Sequence, residues 1–153
     1  MLETIFDIAE TIFSVGMGVL NKTSERNTKK KNDTFFNYLV NMAMADREIK
    51  PEEEKFLDGV LKDFTFEKYA NKNVNFCIGY AIKNRLKISE VAKVFSKEDR
   101  KEQLAIYKIG ILLSAADRDV VDSEISILRE LARGLNLTQK EINAIIDEVT
   151  SGK

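Results

Sequence analysis

The chain has no histidine and no tryptophan, and its 153 residues include one cysteine and one proline. Each absence removes a class of chemistry. Without histidine there is no imidazole base for a serine or cysteine nucleophile, and no imidazole zinc site. A catalyst here would have to rely on carboxylates or lysines. Any metal would be held by oxygens, which favours hard ions such as Ca²⁺ or Mg²⁺ over zinc or copper. A lone Cys77 closes no disulfide within the chain and forms no dithiol redox pair. It fits a reducing compartment and is expected to be a small core hydrophobe. Net charge is −1, so no basic field invites nucleic acid.

Glycine and proline are scarce, at 7 and 1, so few breakers interrupt the chain. Apolar residues recur at spacings of three and four. The pattern predicts an all-α fold of about seven helices in a compact bundle. A composition of 44% hydrophobic and 32% charged residues is ordinary for one globular domain rather than a disordered chain.

Residues 2–20 read as an amphipathic helix, with Leu2, Ile5, Phe6, Ala9, Ile12, Phe13 and Leu20 on one stripe. Glu3, Asp7 and Glu10 favour a helix N-terminus and argue against a secretory signal. The stretch is also too polar to span a bilayer. Residues 21–32 contain no hydrophobe and carry five basic groups against one acid, so they read as a solvated linker. The expected division is 1–32, helix plus basic linker, and 33–150, the helical domain. Packing of the first helix on the body, docking to a partner helix, and weak membrane-surface contact through residues 2–31 with Lys29, Lys30 and Lys31 on anionic headgroups all stay open.

Asp33 reads as the N-cap of a helix through Met44. Pro51 suits the first position of the next helix, with Glu52, Glu53 and Glu54 in its first turn. Helices are further expected over 72–84, burying Val74, Phe76, Cys77, Tyr80 and Ala81, and over 89–95. Ser96 with Asp99 suggests a cap for a helix over 97–115. A helix from Asp122 to Arg133 is expected to stop at a left-handed Gly134. Thr138 with Glu141 forms a capping box for a last helix carrying Ile142, Ile145, Ile146 and Val149 inward.

Two stretches are near copies. Ala45-Asp46-Arg47-Glu48-Ile49 is followed by Glu53 and Leu57, and Ala116-Asp117-Arg118-Asp119-Val120 by Glu124 and Leu128. The offset is 71 throughout (116 − 45, 124 − 53), which predicts two pseudo-repeated helical halves. Each copy places an aspartate at a helix end and a glutamate in the first turn of the next helix. Asp46, Glu53, Asp117 and Glu124 are therefore candidate ligands for a divalent cation, with Glu48 and Asp119 adding to the field. The same residues could cap helices and turns, or form an acidic docking face. An enzyme using two carboxylates is a further alternative. The pattern is not an EF-hand, because the Asp-x-Asp-x-Asp-Gly core is absent.

These residues resemble the tellurite-resistance TerB family, which is related to a domain of DjlA-type membrane co-chaperones. The family pattern is Ala-Asp-Gly-x-Ile/Val, then Glu, then Leu, and it occurs twice. Ala45, Asp46, Ile49, Glu53 and Leu57 match one copy; Ala116, Asp117, Val120, Glu124 and Leu128 match the other. The stretch Leu131 to Thr138 is similar to the family's ending, with Asn136 where glycine is usual. Arg47 and Arg118 replace the glycine after each aspartate. The resemblance implies a non-enzymatic stress-response protein with an acidic surface for a divalent ion. It further implies a cytoplasmic place at the inner membrane, beside an integral membrane partner of the TerC type.

Overall fold

The computed structural model describes residues 26–46, 48–115 and 122–151. The amphipathic stretch expected over 2–20 lies outside them. The described residues form seven α-helices and no strand: α1 Arg26–Ala43, α2 Pro51–Asp63, α3 Val74–Lys83, α4 Ile88–Phe95, α5 Arg100–Ala115, α6 Asp122–Gly134 and α7 Gln139–Ser151. A single 3-10 turn, Met44–Asp46, extends α1. The fold is all-α, as the periodicity predicts. α2 and α6 both have 13 residues and start 71 residues apart (122 − 51), the offset of the acidic motifs.

Helix α1 is the axis of the molecule. It packs on α2, α3, α4 and α5, and α6 in turn packs on α4 and α5 while α7 packs on α5. Every residue from Lys31 to Ala43 is buried. A helix enclosed on all sides needs apolar residues on all sides, and Phe35, Phe36, Tyr38, Leu39, Val40 and Met42 supply them. The polar residues left on it must then find partners. Asn37 and Asn41 do so at the α3–α4 junction: the Asn37 Nδ2 donates to the Asn84 carbonyl (3.2 Å), and its Oδ1 accepts from Leu86 N (3.1 Å) and Asn41 Nδ2 (3.0 Å).

The linker expected over 21–32 is overturned where it is described. Residues 26–32 are the first two turns of α1, and Lys31 and Asn32 are buried. The boundary expected at 32/33 therefore falls inside a helix. Asp33 is not an N-cap. Its carboxylate accepts from Glu67 N and Lys68 N, each at 3.0 Å, and Asn32 Nδ2 donates to the Thr65 carbonyl at 2.8 Å. These bonds fix the segment after α2 against α1, where Phe66 and Tyr69 pack on Phe36 with ring centroids 5.9 and 4.7 Å apart.

Several helix ends follow the expected chemistry. Pro51 opens α2, and Asn73 caps α3 through Phe76 N (2.8 Å). Thr138 and Glu141 exchange both capping-box bonds, at 2.9 and 3.1 Å. Others differ. Asp99 alone caps α5 through Glu102 N (2.9 Å), while Ser96 Oγ turns back to the Lys93 carbonyl. Phe76 and Ile146 face solvent, at 50% and 41% exposure, because α3 and α7 lie on the outside and bury narrower stripes than expected.

The stop after α6 is made by Asn136, not by Gly134. Asn136 takes φ 55°, Asn136 N donates to the Arg133 carbonyl and Leu137 N to the Ala132 carbonyl. This is a Schellman closure with asparagine in the left-handed position. Gly134 serves closeness instead: a Cβ there would lie 2.5 Å from Ala92 Cβ, so the glycine lets α6 meet α4.

Candidate functional site

The turn of the first acidic motif meets the helix start that follows the second at the C-terminal end of α1. The 3-10 turn that carries Ala45 and Asp46 packs on α6. Ser123 Oγ, in the first turn of α6, donates to the Ala45 carbonyl at 3.0 Å. The helix start of the second motif is thus bonded to the turn of the first.

Glu53 and Glu124 occupy equivalent places, each the third residue of its helix, and both are buried (2% and 5% exposed). Glu53 accepts from Lys50 N at 2.9 Å, which satisfies a backbone donor ahead of α2 and places negative charge at the helix start. Burial sets both glutamates beneath the surface rather than on it. Glu48 is exposed. The side chain of Asp46, and Asp117 and Asp119 altogether, lie outside the described residues, as do Arg47 and Arg118. Among the described residues no three acidic or cysteine side chains converge as a metal cage.

The opposite end of α1 holds charges that the sequence reading missed. Lys31 Nζ, buried, bonds the carboxylates of Glu98 and Glu102, the latter at 3.0 Å. Desolvation raises the Glu102 pKa, and the Lys31 ammonium opposes that rise. Asp33 is also raised, by burial first, with the Lys68 and Glu67 backbone N–H groups pulling the other way. Lys31 is therefore taken inside the fold. Cys77 is fully buried, its thiol pKa raised by desolvation, as suits a core residue.

Beside these charges runs a groove of about 690 Å³ between α1, the segment after α2, α3 and the ends of α4. Tyr69 lies in its wall. Its hydroxyl accepts from Asn37 Nδ2 (3.5 Å), and burial pushes its pKa up to about 12. No sequence signal marks this groove, because its lining comes from separate segments with ordinary composition.

The family model of the tellurite resistance protein TerB matches residues 32–147. The chain belongs to the TerB family. The match takes in both acidic motifs and all seven helices except the ends of α1 and α7. No curated protein and no solved structure matches it. Among the described residues, no helix of this TerB-family chain is long and apolar enough to cross a membrane.

Proposed function

We propose that this chain is a non-enzymatic binding protein of tellurite resistance and stress response. Its paired acidic turns take a divalent cation, Ca²⁺ or Mg²⁺, and present the loaded face to a protein partner at the inner membrane. The observation that supports this most is the bond from Ser123, at the start of α6, to Ala45, in the turn of the first motif. Buried Glu53 and Glu124 sit near this contact, and the motif aspartates Asp46 and Asp117 would add their negative charge to theirs. The glutamates act from below, holding helix starts in position. Asp46 and Asp117, with Glu48 and Asp119, are the cation's side-chain contacts. A TerC-type membrane protein is the partner that the family resemblance favours.

A second reading has its own observation. Glu53 spends a carboxylate oxygen on Lys50 N, which is structural capping. If all the motif acids do the same, the turns bind nothing.

Titration of metal-stripped protein with Ca²⁺ and with Mg²⁺, followed by amide NMR, separates the two. The cation reading expects saturable shifts confined to 45–54 and 116–125, lost in Asp46→Asn with Asp117→Asn. Unmoved signals at millimolar cation would overturn it. The capping reading expects the same double variant to lose about 1 kcal/mol per cap and no binding.

A further inference from the structure

Exposed lysines line the groove at the N-terminal end of α1. Lys30, Lys68 and Lys97 line it, and their ammonium groups have no hydrogen-bond or ion-pair partner among the described residues. The acids that share the lining are engaged. Asp33 is held by two backbone N–H groups, Glu98 by Lys31, and Glu67 has a partner of its own. The lining carries four lysines, Lys30, Lys31, Lys68 and Lys97, against three acids, Asp33, Glu67 and Glu98, so its balance is positive by one charge. A groove of about 690 Å³ falls in the range of small-molecule sites, roughly 300–1,000 Å³. Its remaining wall is formed by Tyr80, whose ring also stacks with Phe76 at 6.3 Å, and by Leu86 and Val94.

We propose that this groove binds a small phosphate ester with a flat organic body. The phosphate lies among Lys30, Lys68 and Lys97, and the ring lies against Tyr80, Leu86 and Val94. Lysines act on phosphate as mobile point charges, and an aromatic wall accepts any flat ring, so the site selects a class rather than one molecule. The floor is preorganised. Asp33 fixes the Glu67–Lys68 backbone, and Asn37 ties α1 to Asn84 and Leu86, so both rims of the groove are held before a ligand arrives. The site is separate from the acidic turns: Asp33 and Asp46 stand 13 residues apart along one helix and its terminal turn, about 20 Å at 1.5 Å per residue. Loading the two ends therefore involves opposite charges and different residues.

Amide NMR of the full chain with ADP and phenyl phosphate, and with adenosine and phenol as uncharged controls, tests this. Saturable shifts are expected at residues 30–34, 67–69, 84–86 and 94–98 with the phosphates. The controls should bind at least about tenfold more weakly, and added salt should weaken the phosphates alone. Lys68→Glu with Lys97→Glu, both exposed, should lower phosphate affinity about tenfold or more while the rest of the spectrum holds. Three outcomes overturn the proposal: no saturable shift with either phosphate at millimolar concentration, controls that bind as well, or unchanged affinity in the charge-reversed variant.

Discussion

Lys31 and Glu102 are 71 residues apart in sequence and 3.0 Å apart in the fold. The pair ties the N-terminal part of α1 to the start of α5. Glu98 joins them. A buried pair is a weak source of stability, but stranding one member is costly. Lys31→Met leaves two carboxylates beside each other, one of them buried. It should cost roughly 3 kcal/mol in chemical denaturation near neutral pH. Lys31→Met with Glu102→Gln should recover a good part of that loss. The sign with pH follows from Glu102, whose folded pKa already exceeds the usual 4.5. A raised carboxylate pKa means the folded state holds its proton longer, so stability falls as pH rises. The deficit of Lys31→Met should therefore be smaller near pH 4 than near pH 7. A deficit independent of pH would show that the lysine's stem, not its charge, matters.

Asp33 allows a cleaner titration. Its pKa is raised above 3.8 by burial, although two backbone donors oppose the rise. The stability that Asp33 contributes is thus fullest when it is protonated, below 3.8, and declines as pH rises through the folded value. Asp33→Asn keeps an acceptor for Glu67 N or Lys68 N and carries no charge. The variant should gain relative to the parent as pH goes from about 4 to 7. Asp33→Ala should be the worse variant at every pH, by about 1–3 kcal/mol, because buried N–H groups lose their acceptor. Denaturant midpoints across that pH range decide the matter.

Asn136 sits at φ 55°, where the family pattern has glycine. Asparagine tolerates this region better than other residues with a Cβ, and glycine tolerates it best. Asn136→Gly should leave stability level or raise it by a few tenths of a kcal/mol. Asn136→Ala should lower it by about 1 kcal/mol. Thermal midpoints of the three proteins should rank Gly, Asn, Ala. Ala at the top would mean that the closure at α6 is not what φ 55° indicates.

Local chemistry was legible wherever a side chain bonds its own backbone neighbourhood. Pro51 at the start of α2 and Thr138 with Glu141 at the start of α7 both belong there. What failed depends on partners distant in sequence. Residues 26–32 contain no hydrophobe, so periodicity had nothing to report, yet Lys31 is buried by carboxylates 67 and 71 positions away. Asp33 carries the signature of an N-cap but serves donors 34 and 35 residues on. At the candidate site, the motif picked out Glu53 and Glu124 as a matched pair. Their burial was invisible, because charged residues in a first helical turn usually face water.

Gly134 gives the sharpest test of close packing. Its place as a helix-stopping glycine was plausible from sequence, but its backbone is helical and its hydrogen faces Ala92. If contact between α4 and α6 is the reason for glycine, Gly134→Ala should destabilise the protein by about 1–3 kcal/mol, the usual cost of overpacking. An exposed helical glycine would instead gain up to about 1 kcal/mol from the same change. The two accounts therefore differ in sign. Ala92→Gly in the Gly134→Ala background should restore room for the added methyl, apart from the lower helix propensity of glycine in α4. A denaturation cycle over the four proteins measures the coupling directly. Coupling near zero would place the two residues out of contact and remove the steric account of Gly134.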